Sequence, residues 1–413
     1  MREAGHVSPQ SLVVSNDCPI VGRRLPSRTV PRTIVELYYL SSRWAQGGGC
    51  DTMLFMSRSP YRIVESHRAA TAGAVQMLRP FLSIATLAAS AFRAFSEPEE
   101  LVSRDMYGDL PLGCYVIPGA RVAPTHRGDY GYVCSGDEPI VEQNADFLRK
   151  GKFLRPRFTE IVTDSAARKH AEDLVVLTSR CHNNFWHWMM DSLPKVLIAE
   201  RCGFRGLYLV PPVALAPWAA ESLQLVGISP ERLITLDGAS IDVERLYIPT
   251  YFCGYNAHFN REFSRIYREW ILERVSPRRE GVGRRIFVGR SESVSVRRLL
   301  NQSELASVLQ KEGFEHIFFE LLPLREQIRV ASEASVLIGA HGSGLMHLLF
   351  MPIDSLVIEL FPYKRQQTNN CYEAAAEIVP QRYRALESCA MRDGDVEVDP
   401  ESIRGVLIEE SVI

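Results

Sequence analysis

The apolar pattern is silent at the start of the chain and sharpens along it. Residues 1 to about 75 carry no sustained period, and their arginine pairs, serines, prolines and the run Gly47-Gly48-Gly49 predict a flexible extension. From Cys114 to Ala123 (CYVIPGARVA) the pattern becomes strand-like. Leu174 to Leu177 is a short apolar run of the kind buried on both faces of a sheet. A helical segment from about Asn184 to Glu200 follows it. Then come a strand at Gly206 to Val210, a helix at Trp218 to Val226, strands at Leu233 to Leu236 and Val243 to Ile248, and a long amphipathic helix at Arg265 to Val275. Ser276 to Arg285 (SPRREGVGRR) has the proline, glycine and charge content of a linker.

The second half alternates more cleanly. Strands are expected at Arg285 to Val288, Phe314 to Phe319, Ser335 to Ile338 and Ser355 to Leu360. Helices are expected at Ser303 to Glu312, Leu324 to Ser332 and Leu345 to Phe350. Strands and helices in alternation predict parallel strands joined by crossover helices. The expected fold is therefore α/β, in two halves joined by a short linker with a cleft between them. The boundaries read as an extension over 1–75, an N-terminal lobe over 76–275, a linker over 276–285 and a C-terminal lobe over 286–413.

Composition narrows the function classes. Hydrophobic residues make up 46% and charged residues 23%, the balance of a folded globular chain. The formal net charge of -2 gives no reason to expect nucleic acid as a partner. Nine cysteines, with no C-x-x-C pair, fit neither a disulfide framework nor a structural zinc site and point to a reducing compartment. The most apolar stretch, Pro80 to Phe92, is too short to span a bilayer and is bounded by Arg79 and Arg93. Without a Lys/Arg-rich polar face it reads as a buried helix rather than a membrane-surface one, although peripheral membrane association stays open. Met1 to Gln10 lack the apolar core of a secretory signal, so a cytoplasmic location is expected.

Three constellations can carry chemistry. In SVLIGAHGSGLMHLLF, Ser335 to Phe350, an apolar strand runs into the turn Gly339-Ala340-His341-Gly342-Ser343-Gly344, and a helix starts directly after it. Glycine admits close backbone approach, and free N–H groups at a helix start favour an anion such as a diphosphate. The turn matches neither G-x-G-x-x-G nor G-x-x-x-x-G-K-[ST]. The plainer alternative is a tight turn that uses glycine for packing; His341, able to donate to a phosphate oxygen, favours function. An esterase oxyanion turn would need a G-x-S-x-G elbow, and none occurs; Gly289-Arg290-Ser291-Glu292-Ser293 misses at its last position.

In CHNNFWHWMMDSLPK, Cys181 to Lys195, the residues Asn184, His187 and Asp191 share one helical face among bulky apolar neighbours. Such a polar stripe is either a buried His–Asp hydrogen bond holding two elements together or a general-base pair facing a cleft. The third constellation is basic: Arg290 at the end of a strand, then Arg297 and Arg298. Arginine forks match phosphate oxygens, and the carboxyl end of a parallel strand is where ligands of such sheets bind. Arg290 is favoured for that role, and Arg297 and Arg298 are left open between ligand contact and solvated surface. Asn301, three residues before Glu304, reads as a helix cap. Asp393-Gly394-Asp395 reads as a turn rather than a metal–diphosphate site, and His341 and His347 lack a carboxylate or thiolate at ligand spacing.

Together these stretches resemble the family 61 glycosyltransferases. The resemblance rests on Asn184-Phe185-Trp186-His187-Trp188, Asp191, Leu193-Pro194, Gly289-Arg290, Arg297-Arg298, Asn301, Glu304-Leu305 and Glu326-Gln327-Ile328. It continues through Ile338 to Leu345, Phe350-Met351-Pro352 and Val357-Ile358-Glu359-Leu360, covering about Leu174 to Pro362. Where the family often has asparagine shortly after the glycine-rich turn, this chain has His347. The resemblance implies a GT-B-like fold, two Rossmann-type lobes with the active site between them, and an inverting enzyme that uses a UDP-sugar as co-substrate, with no cofactor and no metal requirement. The acceptor would be a glycan or lipid-linked glycan, as in bacterial members associated with capsular or surface polysaccharide.

In the mechanism so implied, Asp191, or His187 assisted by it, takes the acceptor proton, and Arg290, His341, Gly342, Ser343 and Gly344 stabilise the departing diphosphate. Glu359 is expected to hold ribose or sugar hydroxyls, and Asn184 and His347 are further candidates. Two alternatives stand beside this reading: polysaccharide pyruvyl transfer, and a non-catalytic nucleotide- or glycan-binding subunit.

Overall fold

The computed structural model describes residues 91–94, 112–124, 131–136, 138–140, 164–177, 183–210, 215–235, 239–250, 259–275, 283–291, 298–361, 370–387, 389–390 and 395–413. All of them lie in the second of two units, Gly48–Ile413. The expected extension over 1–75, the apolar stretch up to Ser90, and 276–282 of the expected linker lie outside the described residues.

The first sheet comprises β1 (Phe92–Ala94), β2 (Gly113–Pro124), β3 (Gly131–Ser135), β4 (Glu138–Pro139), β5 (Arg168–His170), β6 (Leu174–Val176), β7 (Leu207–Val210), β8 (Leu233–Thr235) and β9 (Ile241–Pro249). Its path runs β4-β3-β2-β9-β6-β7-β8, with β1 beside β2 and β5 beside β9. One side is parallel, as the alternation predicts: β9 with β6, β6 with β7, and β7 with β8. The other side corrects that expectation. There β2 runs antiparallel to β1, β3 and β9, and β3 antiparallel to β4. Antiparallel neighbours need no crossover helix, and β2 and β3 are separated by a short segment. Along β9, Val243 is buried between partly exposed Asp242 and exposed Glu244, whereas Leu246 to Pro249 are buried throughout.

Among the described residues, four α-helices belong to this half: α1 (Phe185–His187), α2 (Pro194–Arg201), α3 (Pro217–Leu225) and α4 (Arg261–Val275). The expected single helix from Asn184 to Glu200 is interrupted by a π turn over Trp188–Ser192. Pro194 explains it. Proline has no N–H to donate, and its ring crowds the carbonyl four residues earlier, which the wider π turn relieves. Leu193 N–H accordingly reaches back five residues to the Trp188 carbonyl at 2.8 Å. The Met189 carbonyl then has no helical donor, since Leu193 is engaged and Pro194 has none. The fully buried Tyr267 of α4 donates its hydroxyl to that carbonyl at 2.7 Å.

The second sheet contains β10 (Arg284–Val288), β11 (Phe314–Ile317), β12 (Ala334–Ala340), β13 (Leu356–Phe361) and β14 (Arg382–Glu387). Strand β10 begins inside the segment expected to be a linker. The order is β11-β10-β12-β13-β14, and every pairing is parallel. Helices α5 (Gln302–Lys311) and α6 (Leu324–Ser332) lie between these strands in sequence, followed by α7 (Cys371–Ala376) and the C-terminal α8 (Pro400–Glu409). All six residues of β13 are buried, as a central parallel strand requires. One buried cluster runs through both sheets, joining Tyr208 and Tyr247 to Phe263, Tyr267 and Ile271 of α4 and to Ile286, Leu337 and Val357. No described helix is long and apolar enough to cross a membrane.

Replacing Tyr267 by Phe strands the Met189 carbonyl in the core and is expected to cost about 1–3 kcal/mol of stability, the penalty for an unsatisfied buried acceptor. Urea unfolding of Tyr267→Phe checks this; unchanged stability would show that the π turn satisfies its carbonyls without α4.

Candidate active site

The π turn positions the first set of candidate residues. Asn184 precedes α1 in extended backbone (φ -101, ψ 129), and its side-chain oxygen accepts from the His187 N–H at 3.4 Å, capping the helix. His187 and Asp191 sit four residues apart with Nδ1 and Oδ2 2.7 Å from each other, both half-buried. Trp188 points the other way, fully buried, its indole N–H donating to Ser222 Oγ of α3 at 2.8 Å. The same turn therefore anchors one side in the core and presents a His–Asp pair on the other.

The second set gathers where the order of the parallel sheet reverses. β10 and its neighbours β11 and β12 form the switch point of a sheet ordered 2-1-3-4-5, and the crevice at the carboxyl ends of such strands is where ligands bind. Arg290 follows the end of β10, and His341 follows the end of β12. The Arg290 guanidinium donates to the His341 carbonyl at 2.9 Å. Its backbone is clamped by Gln302: the N–H donates to Oε1 at 2.7 Å and the carbonyl accepts from Nε2 at 3.1 Å. A Cβ on Gly342 would meet Arg290 Nη2 at 2.0 Å, so the guanidinium holds this position only with glycine there. A Cβ on Gly344 would meet Val288 Cγ1 at 3.0 Å, so the turn also sits tightly on β10.

After the turn, Ser343–Phe350 form a 3-10 helix rather than the regular helix expected from Leu345. Its bonds close over three residues, with Leu345 N–H on the Gly342 carbonyl at 2.9 Å and Met351 N–H on the Leu348 carbonyl at 3.1 Å. That geometry brings the Gly344 carbonyl within 2.8 Å of His347 Nδ1.

Two histidines of this segment have different surroundings. His341 Nδ1 is hydrogen-bonded to Oε1 of Glu359, and the Tyr383 hydroxyl of β14 donates to Oε2 of the same carboxylate. Glu359 is fully buried with both oxygens engaged, which corrects the expectation that it holds ribose or sugar hydroxyls; it orients His341 instead. His347 is also buried, stacked between Phe319 (centroids 3.8 Å apart) and Phe185 of α1 (5.2 Å), with the Gln327 side-chain amide 2.9 Å from Nε2. Desolvation pushes its pKa down to about 4, so it is neutral at pH 7. His347 is thus a joint between α1 and the 3-10 helix rather than a ligand contact.

A second ring contact links the sets. Trp186, next to His187, packs edge-on against Tyr372 of α7 at 5.0 Å, and Tyr372 packs edge-on against His341 at 5.3 Å. The His187–Asp191 pair and the Arg290–His341 pair are therefore held by one set of packed rings. Arg298 stands apart from them. It donates to Asp395 through its backbone N–H (2.7 Å), Nε (2.9 Å) and Nη2 (2.6 Å), and that bonding holds the carboxyl below its usual range. Arg298 thereby fastens the C-terminal segment, and Asp395 is committed to an arginine. Arg297, Asp393 and Gly394 lie outside the described residues. Asn301 stands at the N-cap of α5, as expected, and its amide donates to Glu304 Oε2 at 3.1 Å; it makes no side-chain cap bond to the helix backbone and instead holds Val398 from both sides, accepting from its N–H at 3.2 Å and donating to its carbonyl at 2.8 Å.

Sequence reasoning did not single out Tyr383, Tyr372 or Gln302, whose roles depend on distant strands and turns. Gln327 did appear in the motif carrying the resemblance, without a role.

Residues 185–358 match the family described as Glycosyltransferase 61. The chain is 31% identical to an EGF domain-specific O-linked N-acetylglucosamine transferase of Drosophila melanogaster over 132 residues, 31% of this chain and 25% of that protein. It is 31% identical to the Gallus gallus protein of the same description over 104 residues, 24% of this chain and 19% of that one. It is 22% identical to a beta-1,2-xylosyltransferase of Oryza sativa subsp. japonica over 308 residues, 66% of this chain and 54% of that protein. The matches thus span about a quarter of the fly relative's length and about half of the rice relative's.

Because His347 is buried neutral, its contribution to stability is present above its ordinary value near 6.5 and is lost as the pH falls toward about 4. A depression of that size corresponds to roughly 3 kcal/mol. His347→Asn should flatten this part of the curve, so that the stability difference between wild type and variant narrows from pH 7 to pH 4; a constant difference would show that His347 does not titrate in this window.

The π turn, the switch point and strands β7 to β12 fall within residues 185–358, the span that matches the Glycosyltransferase 61 family.

Proposed function

We propose that the chain transfers a sugar from a UDP-sugar to an acceptor hydroxyl with inversion at the anomeric carbon. The observation that carries this reading is the placement of Arg290 and His341 at adjacent strand ends of the switch point, packed through Tyr372 and Trp186 against the turn that bears His187 and Asp191. The two sheets are read as the two lobes of a GT-B-like enzyme, with the donor held by the second and the acceptor by the first.

The chemistry follows from the hydrogen bonds. Asp191 accepts from His187 Nδ1, which leaves Nε2 as the basic nitrogen. Nε2 takes the proton of the acceptor hydroxyl as its oxygen attacks the anomeric carbon, and Asp191 stabilises the imidazolium that forms. The bond to the donor's β-phosphate oxygen breaks in the same step, and UDP departs. Arg290 and His341, with the backbone of Gly342, Ser343 and Gly344, balance the charge that develops on the leaving oxygen. Glu359 and Tyr383 keep the His341 ring in place for that contact. No step calls on a metal.

The relatives' names supply the first donors to try, UDP-N-acetylglucosamine and UDP-xylose. Those relatives are animal and plant proteins and lend no support to a role in bacterial surface polysaccharide, so the acceptor is proposed only as a hydroxyl of a glycan or a protein.

The test is UDP release from each donor, read together with donor-induced thermal stabilisation. His187→Ala is expected to lower release by about 10²–10⁴-fold, the usual contribution of a general base, while stabilisation by the donor persists. Loss of stabilisation in His187→Ala and Asp191→Ala alike would make the pair a donor contact and reverse the roles.

A further inference from the structure

Glu320 is a carboxylate at the switch point to which the proposed transfer gives no part. Strands β10 and β11 run parallel with Val288 opposite Ile317, and the Gly289 N–H donates to the Ile317 carbonyl at 2.8 Å. Beyond that pairing the two strand ends stay together. Phe319–Leu321 form a 3-10 turn, and Oε1 of Glu320 accepts from the Ser291 N–H at 2.7 Å. Ser291 directly follows Arg290, so the carboxylate is tied to the loop that carries the guanidinium. Phe319 is buried and stacks on His347 with ring centroids 3.8 Å apart, which fixes the 3-10 turn against the segment after the glycine-rich turn. Glu320 itself is exposed, and its Oε2 has no hydrogen-bond partner among the described residues.

Water satisfies an exposed carboxylate, so exposure alone assigns nothing; its place in the site does. Across the carboxyl ends of the strands the order is Glu320 after β11, Arg290 after β10 and His341 after β12, with α7 following β13 in the chain. His341 packs on Tyr372 of α7, and Tyr372 on Trp186, the neighbour of His187. The sugar end of a donor whose diphosphate lies between Arg290 and His341 therefore belongs on the β12 side. Its nucleoside then extends the other way, over β10 toward β11. On the β13 side Glu359 is committed to His341 and Tyr383, whereas Glu320 has an oxygen to offer. Open α/β sheets that bind dinucleotides hold the ribose by an acidic side chain later in the chain than the phosphate loop, and Glu320 is placed in that way.

Resting on the donor reading above, we infer that Glu320 holds a ribose hydroxyl of the nucleotide. Oε2 accepts the hydroxyl proton while Oε1 keeps its bond to Ser291, so ribose and diphosphate are gripped by one connected loop. The residue touches no reacting atom; it selects ribonucleotide donors over deoxyribonucleotide ones.

The experiment is calorimetric titration of UDP and of 2′,3′-dideoxyuridine diphosphate against the full chain, as wild type, Glu320→Ala and Glu320→Gln. Wild type is expected to prefer UDP by about tenfold or more, the scale of one hydrogen bond to a charged group. In Glu320→Ala the affinity for UDP should fall to that for the dideoxy nucleotide, whose own affinity stays unchanged. Glu320→Gln keeps an oxygen for the Ser291 N–H but loses the charge, so the preference should narrow there too, and this variant decides the matter if the alanine one does not fold. A carboxylate that only braces the Arg290 loop would weaken both nucleotides together in Glu320→Ala and leave the preference intact, which would overturn the inference, as would equal affinities in the wild type. Failure of either nucleotide to bind the wild type would instead sink the donor reading, and the ribose contact with it.

Discussion

The contact on which the site depends is the stacking of the His347 ring between Phe185 and Phe319. Phe185 opens the helix that leads into the π turn, and His347 lies in the 3-10 helix after the glycine turn, so one buried imidazole joins two segments remote in sequence. Its Nδ1 lies 2.8 Å from the Gly344 carbonyl and its Nε2 2.9 Å from the Gln327 side-chain oxygen, so both polar edges of the ring face polar neighbours inside the core. Trp186 and Tyr372 extend the joint to His341. A rigid set of rings is a suitable support for two reactive groups that must keep their separation while a substrate comes and goes.

The same economy of buried polarity governs Glu359. A carboxylate with no exposure is costly unless its oxygens are engaged, and His341 and Tyr383 engage both. The π turn poses a comparable problem with a backbone group, solved by the Tyr267 hydroxyl. In both places a buried polar group at the candidate site is satisfied by a tyrosine from a distant element.

Much of the second sheet was legible in the sequence because parallel strands buried on both faces read as apolar runs, and the runs at Ser335 to Ile338 and Ser355 to Leu360 are strands within a residue or two. The antiparallel half of the first sheet was not, since strand direction leaves no mark on a hydrophobic pattern. The pairing of His187 with Asp191 followed from helical spacing and survives the π turn. The fate of Glu359 did not follow from the sequence, because a carboxylate at a strand end reads alike whether it faces ligand or a buried histidine. Arg298 and Asn301 show the same limit: their partners, Asp395 and Val398, lie 97 residues further on.

The central claim is that Arg290 and His341 form a diphosphate site at the switch point. Calorimetric titration of UDP and of uridine against the wild type and Arg290→Met tests it most directly. UDP is expected to bind the wild type at least about tenfold more tightly than uridine, consistent with one or more charge-assisted hydrogen bonds, and the gap should collapse in Arg290→Met while uridine binding is retained. Equal affinities for UDP and uridine in the wild type, or an undiminished gap in the variant, would contradict it.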